Sequence, residues 1–567
     1  MNRPRRGWVT FASACGLGAI AALAVRGVPR ASILRPTAGA AAGGDDEWPS
    51  YGHDFTNQRF SPLTQINVKN VGRLRLAWLH ETRPAPIAPV EGIFKQESSP
   101  VVVDGVLYYT YPGPQVFALD AATGRELWRW AAADNGTIRV CCGPNNRGVA
   151  VADGRVFVAT LDARVVAINA KNGKVVWQTR AADGAFGYSF TMAPLVADGK
   201  VIVGAAGGEF EIRGFVDAYD VKTGSRVWRF WTIPSPEEGG WWGTWARTTP
   251  DREQLPRNIE RERADSAKYP NAWQKGGAPV WMTPSYDPAL GLVYFGTGNP
   301  GADFDDHERP GDNLYNNSIV AVDIKTGKHR WHYQMVPHDL WDYDAASPTV
   351  LVDIDVRGAR VPAIAHAGKT GWVYILDRRT GTQIVRSEEF VPHENMWAEP
   401  TELGTRIAPG IQGGSNWQPM SYSPRTGLLY VRGQHTPNVY HRMVREHTVG
   451  ERYDGGIASP ARGDAYATTT AIDAATGKVR WMLRTDEPTL ASPLCGGSLA
   501  TAGDLVFYGD VQGYLNAVEA STGEGLWRAK MSGGAQWIRS TPVTFSADGK
   551  QYVAITTLQG LVTFALP

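Results

Sequence analysis

The chain has 567 residues, and its 57 Lys and Arg nearly balance its 56 Asp and Glu, so the formal net charge is only +1. This balance, together with the lack of any basic block, argues against a nucleic-acid partner. The length alone would allow several domains.

The first 42 residues have the pattern of a secretory signal. Three arginines within the first six residues precede an apolar stretch at residues 8–25, and small residues at 38–42 offer cleavage sites. We therefore predict a signal peptide at residues 1–42, a mature chain of residues 43–567 and export to the periplasm. An uncleaved membrane anchor is the alternative, although glycines and alanines make the apolar stretch a poor spanning helix.

A motif of the form Asp-x-x-Thr-Gly-x-x-x-Trp, with small variations, recurs seven times. The copies are Asp120–Trp128, Asn169–Trp177, Asp220–Trp228, Asp323–Trp331, Asp377–Val385, Asp473–Trp481 and Glu519–Trp527. Each copy predicts a β-hairpin, because Thr-Gly suits a turn with positive φ between two strands. Six of the seven copies carry Trp at the same offset, so these tryptophans belong to the repeat and are not scattered core residues.

The residues upstream of each copy complete a four-stranded unit. Residues 100–109, for example, show an apolar strand, an Asp-Gly turn and a second strand. A spacing near ~50 residues is typical of propeller blades, and we attribute two longer intervals to insertions. One insertion, residues 233–275, holds four tryptophans. It predicts either a lid over the channel mouth or a capping excursion without substrate contact.

The two ends of the chain supply one more unit. Residues 540–567 predict three strands without a Thr-Gly hairpin, and residues 71–80 predict a lone strand carrying Trp78. We expect the N-terminal strand to complete the last blade, which hides the free sheet edges. Seven complete units and one split unit predict an all-β fold, an eight-bladed β-propeller over residues 43–567 with Trp-docking repeats.

Cys141 and Cys142 are adjacent, so their Cα atoms can be only about 3.8 Å apart. A disulfide at that spacing is tighter than usual, although an oxidising periplasm would permit it. Two small buried apolar side chains are the other interpretation. The residues alone leave the pair undecided.

Several motifs together resemble the pyrroloquinoline-quinone (PQQ) dependent alcohol dehydrogenases, of the methanol and ethanol dehydrogenase type without a haem domain. They are the Thr-Gly-Trp repeats, Cys141-Cys142 followed by Asn146-Arg147-Gly148, Phe295-Gly-Thr-Gly-Asn-Pro300, Trp341-Asp-Tyr-Asp344, Trp48-Pro-Ser-Tyr-Gly52 and Gln58-Arg-Phe-Ser-Pro62. The resemblance runs from about Trp48 to the C-terminus. It implies a cofactor on the propeller axis, between a Trp face and a vicinal disulfide formed by Cys141 and Cys142.

The resemblance also implies a set of cofactor-binding residues. They are Glu97, Cys141, Cys142, Arg147, Thr191, Ala206, Gly207, Gly208, Trp281, Lys369, Asn416 and Trp417. Their chemistry suits PQQ, a flat tricarboxylated ortho-quinone, because Trp281 offers a flat wall and Arg147 a bidentate fork for a carboxylate. Ala206 stands where the family often has Ser, so one hydrogen bond is expected to be missing.

Four further residues, Glu209, Asn299, Asp342 and Asp344, match the metal ligands of the family. Oxygen-only ligands suit a hard cation such as Ca²⁺. Asp344 is the extra acid typical of the lanthanide-dependent branch, and a trivalent ion gains from one more negative ligand. The same acid also occurs in membrane glucose dehydrogenases of the superfamily, which lack the Cys-Cys pair. We favour a lanthanide over calcium.

In the mechanism implied by the resemblance, Asp342 takes the proton of a primary alcohol while hydride passes to C5 of PQQ. Lys369 lies beside the same carbonyl and supports the developing negative charge. No Cys-x-x-Cys-His motif for a c-type haem occurs, so we expect electrons to leave to a separate cytochrome c. A polyol or sugar substrate and a homodimer stay open.

Two other functions compete with this interpretation. Propellers of this repeat type also serve as non-enzymatic scaffolds in the bacterial envelope, because fold alone does not determine function. A PQQ-dependent sugar dehydrogenase is the second alternative. We favour the alcohol dehydrogenase, since a scaffold has no need for adjacent cysteines together with Glu209, Asn299 and Asp342.

Overall fold

The repeats fold into a series of antiparallel β-sheets. The computed structural model describes residues 44, 46–84, 94–133, 138–448, 450–461, 464–486, 495–531 and 537–567. The predicted signal peptide lies outside the described residues. Within these ranges, no helix has the length and apolar character needed to cross a bilayer.

Eight sheets share one up-and-down order, and we number them along the chain. Sheet 1 contains Val101–Val103, Val106–Tyr111, Gln115–Asp120 and Glu126–Ala131; sheet 2 Ala150–Ala152, Arg155–Ala159, Arg164–Asn169 and Val175–Arg180; sheet 3 Leu195–Ala197, Lys200–Gly204, Phe215–Asp220 and Arg226–Trp231; sheet 4 Ser285–Asp287, Leu292–Gly296, Ser318–Asp323 and His329–Gln334. Sheet 5 contains Val350–Val356, Ala359–Ala367, Val373–Asp377 and Gln383–Arg386; sheet 6 Ser421–Ser423, Leu428–His435, Tyr466–Asp473 and Val479–Asp486; sheet 7 Ser498–Thr501, Leu505–Gly509, Tyr514–Glu519 and Gly525–Lys530; sheet 8 Val543–Ala547, Lys550–Thr556, Gly560–Ala565 and Arg75–Glu81.

The remaining elements are short. The strand Phe60–Ser61 adds in parallel to the first strand of sheet 7, and an accessory sheet is formed by Thr405–Ile407, Asn438–Arg442 and Gly456–Pro460. The described part of the chain has one α-helix, Ile259–Ser266. Its 3₁₀ turns are Val71–Arg73, Gly184–Phe186, Gly208–Phe210, Pro236–Glu238 and Ala272–Lys275.

Five of the six repeat tryptophans dock onto the glycine turn of the following sheet, and Val385 takes the same place on Gly477. The indole Nε1 of Trp228 donates a hydrogen bond to the carbonyl of Ile324 over 2.9 Å. Its ring covers Gly327, where an added Cβ would lie 2.7 Å from the ring. Two features therefore require glycine at this position: the close contact with the Trp228 ring and the φ of +68°. The same hydrogen bond joins Trp128 to Ala170, Trp177 to Val221, Trp331 to Arg378 and Trp481 to Ala520.

The docking contacts run in a closed cycle. Trp78, on the N-terminal strand that pairs with Gly560–Ala565 of sheet 8, covers Gly124 of sheet 1. Trp527 of sheet 7 packs edge-on against Phe564 of sheet 8, with the ring centroids 5.1 Å apart. The predicted closure of the last sheet by an N-terminal strand is confirmed. The count of eight blades stays a prediction, which this cycle of eight sheets supports.

The Trp-rich insertion between sheets 3 and 4 packs on itself and on two neighbouring parts of the chain, the loop around Asp312 and the last strand of sheet 5. Trp241 is only 1% exposed and belongs to a small apolar cluster with Ile233, Ala272 and Ala278. The insertion also contains the helix Ile259–Ser266. This burial agrees with a capping excursion, since packing within the protein explains the aromatic side chain without a substrate.

Loss of one docking Trp should destabilise the whole ring. We expect Trp228→Ala to lower the free energy of unfolding by about 3–5 kcal/mol, because it empties a buried aromatic site and removes a hydrogen bond. Urea unfolding followed by circular dichroism measures the change. Leu403→Ala, at a position 95% exposed, is the control; equal shifts for both variants would contradict the docking role.

Candidate active site

A cavity of about 140 Å³ collects almost all of the predicted site residues. Its lining consists of Lys95, Glu97, Val140, Cys141, Cys142, Gly143, Asn145, Arg147, Ser189, Thr191, Ala206, Gly207, Glu209, Pro279, Trp281, Asn299, Asp342, Asp344, Lys369, Gln412, Asn416 and Trp417. Fifteen of the sixteen predicted residues are in this set. The exception is Gly208, which packs against Pro279 instead: an added Cβ would lie 3.2 Å from that ring.

Two equivalent positions in successive sheets supply these side chains. Glu97, Arg147, Thr191, Trp281, Asp344 and Trp417 each precede the first strand of a sheet, in sheets 1 to 6 respectively. Glu209, Asn299 and Lys369 each follow the second strand, in sheets 3 to 5. In an antiparallel pair of strands, the start of one strand and the end of the next lie at the same end of the pair. The repeat therefore brings distant residues to one end of the molecule.

The two adjacent cysteines form a disulfide in the structure, which decides the question that the residues left open. A carboxylate oxygen of Glu209 lies within 4.8 Å of both sulfur atoms. These three atoms are not a convincing metal site, because the thiolate is the metal-binding form of cysteine and a disulfide carries no such charge. We interpret the disulfide as a wall of the cavity.

One end of the cavity is a cluster of buried carboxylates around a single lysine. The ammonium of Lys369 lies 2.9 Å from Oδ1 of Asp342 and 3.4 Å from Oδ2 of Asp344. It also donates to the main-chain carbonyl of Asp342 over 2.7 Å. Oδ1 of Asp344 accepts a hydrogen bond from the backbone N–H of Asn299. Asp342 has a φ of +61°, an uncommon backbone state for a residue other than glycine.

The charges in this cluster do not balance. Burial, joined by the negative charges of Asp454 and Asp344, raises the pKa of Glu209 to about 7. Burial also raises the pKa of Asp342, where the charge of Asp344 opposes the effect of Lys369. Burial lowers the pKa of Lys369, but the two aspartates outweigh it and the net shift is upward. Excess buried negative charge of this kind suits a bound cation with oxygen ligands.

A second group of residues gives the cavity a basic part. The guanidinium of Arg147 lies 2.7 Å from the carboxylate of Glu97 and donates to Oγ1 of Thr191 over 2.9 Å. It sits 5.0 Å from the centroid of the Trp281 ring. Among the described residues, Nε of Arg147 and Nε1 of Trp417 are buried without a hydrogen-bond acceptor. Unsatisfied buried donors are costly, and they suit a ligand that carries carboxylates.

Several lining residues escaped the sequence analysis. Lys95 stands two positions before Glu97, and that spacing places two side chains of an extended segment on the same side. Asp303 is not part of the lining itself, but it accepts a hydrogen bond from Nδ2 of the lining residue Asn299 over 2.7 Å, and burial raises its pKa, with the charge of Asp342 adding to the effect. Its only sequence signal is its place four residues after Asn299. Asn145, Ser189 and Gln412 were also missed.

Comparison with known proteins identifies the family. The profile described as "PQQ: Glucose/ethanol/alcohol dehydrogenase, beta-propeller domain" matches residues 48–396 and 387–553. The chain belongs to the PQQ-dependent alcohol dehydrogenase family. The quinohemoprotein alcohol dehydrogenase ADH IIB of Pseudomonas putida is 36% identical over 582 residues, which covers 98% of this chain and 78% of that protein.

Other relatives of this PQQ-dependent dehydrogenase bear on the metal. The lanthanide-dependent methanol dehydrogenase of Methylacidiphilum fumariolicum is 35% identical over 539 residues, 90% of this chain and 84% of that protein. A solved europium-containing methanol dehydrogenase superposes with a TM-score of 0.77 at 33% identity and covers 90% of each chain. The predicted all-β propeller fold and the predicted family are confirmed, and the scaffold alternative is not favoured.

The raised pKa of Glu209 predicts how the metal-free protein responds to pH. A carboxyl whose folded pKa lies above its unfolded value stabilises the fold at low pH and loses that contribution as the pH rises through the folded pKa. We therefore expect the melting temperature to fall between about pH 4.5 and about pH 7, the two limits of this group.

Thermal melts in a chelating buffer measure this dependence. Glu209→Gln should make the profile flatter, whereas Glu524→Gln, at an exposed site, should leave it unchanged. A Glu209→Gln profile as steep as that of the unmodified chain would show that Glu209 does not carry the effect.

Proposed function

We propose that this family member is a PQQ- and metal-dependent dehydrogenase that oxidises a primary alcohol to the aldehyde. The observation that carries the proposal is the single cavity in which a vicinal disulfide, the Trp281 ring, a basic group and a carboxylate cluster meet. The family match supports the reaction class. A polyol or sugar is the other substrate class that the same chemistry would serve.

The cavity residues fit the shape and charge of PQQ. Trp281 and the Cys141–Cys142 disulfide would form its two walls, and Arg147 and Thr191 would bind a carboxylate. Asn416 and Trp417 lie on the same lining and offer an amide and an indole N–H. Ala206 and Gly207 complete this wall without side-chain donors. When bound, PQQ supplies the ortho-quinone that accepts a hydride from the alcohol.

The carboxylate cluster would hold the metal. Glu209, Asn299, Asp342 and Asp344 supply only oxygen ligands, as a hard cation requires. Bound there, the ion supplies Lewis-acid chemistry. We favour a lanthanide over Ca²⁺, because the charges of four buried carboxylates act on one another and, among the described residues, only Lys369 forms an ion pair with any of them; the four are Glu209, Asp303, Asp342 and Asp344. The names of two relatives, which specify a lanthanide, agree with this choice.

Asp342 is the proposed base that accepts the hydroxyl proton of the alcohol. Its raised pKa makes the carboxylate a better proton acceptor than an exposed Asp, provided that it is ionised. The ammonium of Lys369, 2.9 Å away, favours the ionised form. Lys369 also places a fixed positive charge where negative charge would develop during the reaction.

We further propose a periplasmic location and a cytochrome c as the electron acceptor. The proposal rests on the signal-like N-terminal sequence and on the lack of a Cys-x-x-Cys-His motif in the 567 residues. Relatives whose names include a haem group agree with electron transfer to a cytochrome. An oxidising compartment is also the place where the Cys141–Cys142 bridge would persist.

Asp342→Asn should separate cofactor binding from turnover. The amide keeps the shape of the side chain but cannot accept the proton, so we expect kcat to fall by about 10²–10⁴-fold. PQQ content, measured from the absorption spectrum, should stay near that of the unmodified protein. The control is Asp504→Asn, at a side chain 45% exposed in the turn between the first two strands of sheet 7. Full turnover by Asp342→Asn would rule out this base.

Reconstitution of the apo-protein should reveal the metal and test the function itself. We expect dye-linked ethanol oxidation with PQQ and La³⁺ at metal concentrations where Ca²⁺ supports little turnover. Asp344→Asn should weaken La³⁺ binding by about tenfold or more, because it removes one negative ligand of a trivalent ion. Calorimetric titration measures the affinity.

The unfavourable outcomes differ in meaning. Turnover with Ca²⁺ alone would exclude the lanthanide assignment and make Asp344 an ordinary loop acid. No turnover with either metal, across a panel of alcohols, polyols and sugars, would overturn the dehydrogenase proposal.

A further inference from the structure

Two cations outside the predicted site converge on one tryptophan of the cavity. The ammonium of Lys95 and the guanidinium carbon of Arg539 each lie 5.8 Å from the centroid of the Trp417 ring. Lys95 and Trp417 both line the cavity. Arg539 also covers Trp537, at 4.9 Å from the ring centroid. The face of an indole ring attracts cations, and here two cations lie near the same ring.

These two cations lack a counter-ion within the described part of the chain. The carboxylate whose charge acts on both is Glu97, which already pairs with Arg147 at 2.7 Å. Burial lowers the pKa of Lys95, and the charges of Arg539 and Arg147 act in the same direction against Glu97. Three cations therefore share one carboxylate. Half-buried positive charges in this arrangement are costly until an anion joins them.

The position of the two cations indicates the source of the anion. Lys95 and Arg539 interact with Glu97 and Trp417, which belong to the cofactor-binding set of the cavity. The groups that would handle the alcohol, Asp342 and Lys369, contact one another at 2.9 Å and belong to the carboxylate cluster. A cofactor with three carboxylates needs more positive charge than Arg147, already paired with Glu97, can supply.

We propose that Lys95, Arg539 and the indole N–H of Trp417 form an additional anion subsite that binds one carboxylate of PQQ. This inference rests on the proposed function. The buried Nε1 of Trp417, which has no acceptor among the described residues, would donate to the same carboxylate. Charge-assisted hydrogen bonds to a carboxylate are among the stronger polar contacts, so the subsite would contribute to cofactor affinity and not to proton transfer.

Equilibrium dialysis of the full-length apo-protein against PQQ tests the subsite directly, without any need for turnover. We expect Lys95→Met and Arg539→Gln each to weaken PQQ binding by about tenfold, or about 1.4 kcal/mol. The matched control is Arg528→Gln with Lys530→Met, because these two cations lie 4.7 Å from the centroid of a different ring, Tyr514. The control should bind PQQ as the unmodified chain does.

A change of ligand charge sharpens the test. The trimethyl ester of PQQ carries no carboxylate, so the two site variants should bind the ester as well as the unmodified chain does. Lys95→Arg keeps the charge and should retain most of the affinity for PQQ. Melting temperatures of all variants, measured in parallel, separate a local loss of affinity from a loss of fold.

The outcomes are distinguishable. If the unmodified chain binds PQQ and the site variants bind it equally well, the subsite is excluded while the proposed function stands. If the variants change only the KM of alcohols that carry a carboxylate, the cations serve the substrate and the inference is wrong. If the unmodified chain binds no PQQ, the proposed function and this inference fail together.

Discussion

The contact on which the rest of the structure depends is that of a repeat indole with the glycine turn of the next sheet. The hydrogen bond from Nε1 to a carbonyl and the ring face on a glycine set the distance and the angle between neighbouring sheets. Repetition of this contact, with Val385 in place of the indole on Gly477 and Trp527 packed on Phe564, produces a closed cycle that Trp78 on the N-terminal strand completes. Closure pairs the last strand of sheet 8 with the N-terminal strand, and the edges that remain are the short outer strands of each sheet. It also directs the same inter-strand loops of every sheet to one end, where the cavity lies.

The cavity combines two opposite charge surpluses, each of which the protein bears at a cost. Buried carboxylates outnumber Lys369, and Lys95, Arg147 and Arg539 outnumber Glu97. Each group raises the electrostatic free energy of the cofactor-free protein, because desolvated like charges repel. A metal ion would neutralise the first group and a polycarboxylate the second. The charge distribution therefore favours joint binding of the metal ion and the polycarboxylate cofactor. It also explains why a propeller built from a repeated indole–glycine contact is specialised for cofactor chemistry.

Much of the fold and of the site could be predicted from the sequence. The Asp-x-x-Thr-Gly-x-x-x-Trp motif predicted the hairpins, since Thr-Gly needs a positive φ and the Trp needs a partner. The resemblance to the family supplied fifteen residues that the cavity brings together. Lys95, Asp303 and Arg539 were missed, because an isolated Lys, Asp or Arg in a loop has no pattern of its own. Gly208 was placed on the cavity wall, but it accommodates Pro279 instead.

The sequence by itself determined the repeat, the strand order within each unit and the identity of the groups available for catalysis, because these follow from local spacing and side-chain chemistry. Tertiary structure alone decided which groups meet. The disulfide between Cys141 and Cys142, the left-handed backbone of Asp342 and the convergence of Lys95 with Arg539 on Trp417 all depend on it. Lys95 and Arg539 are more than 400 positions apart in the chain, and only ring closure brings such distant residues into one electric field.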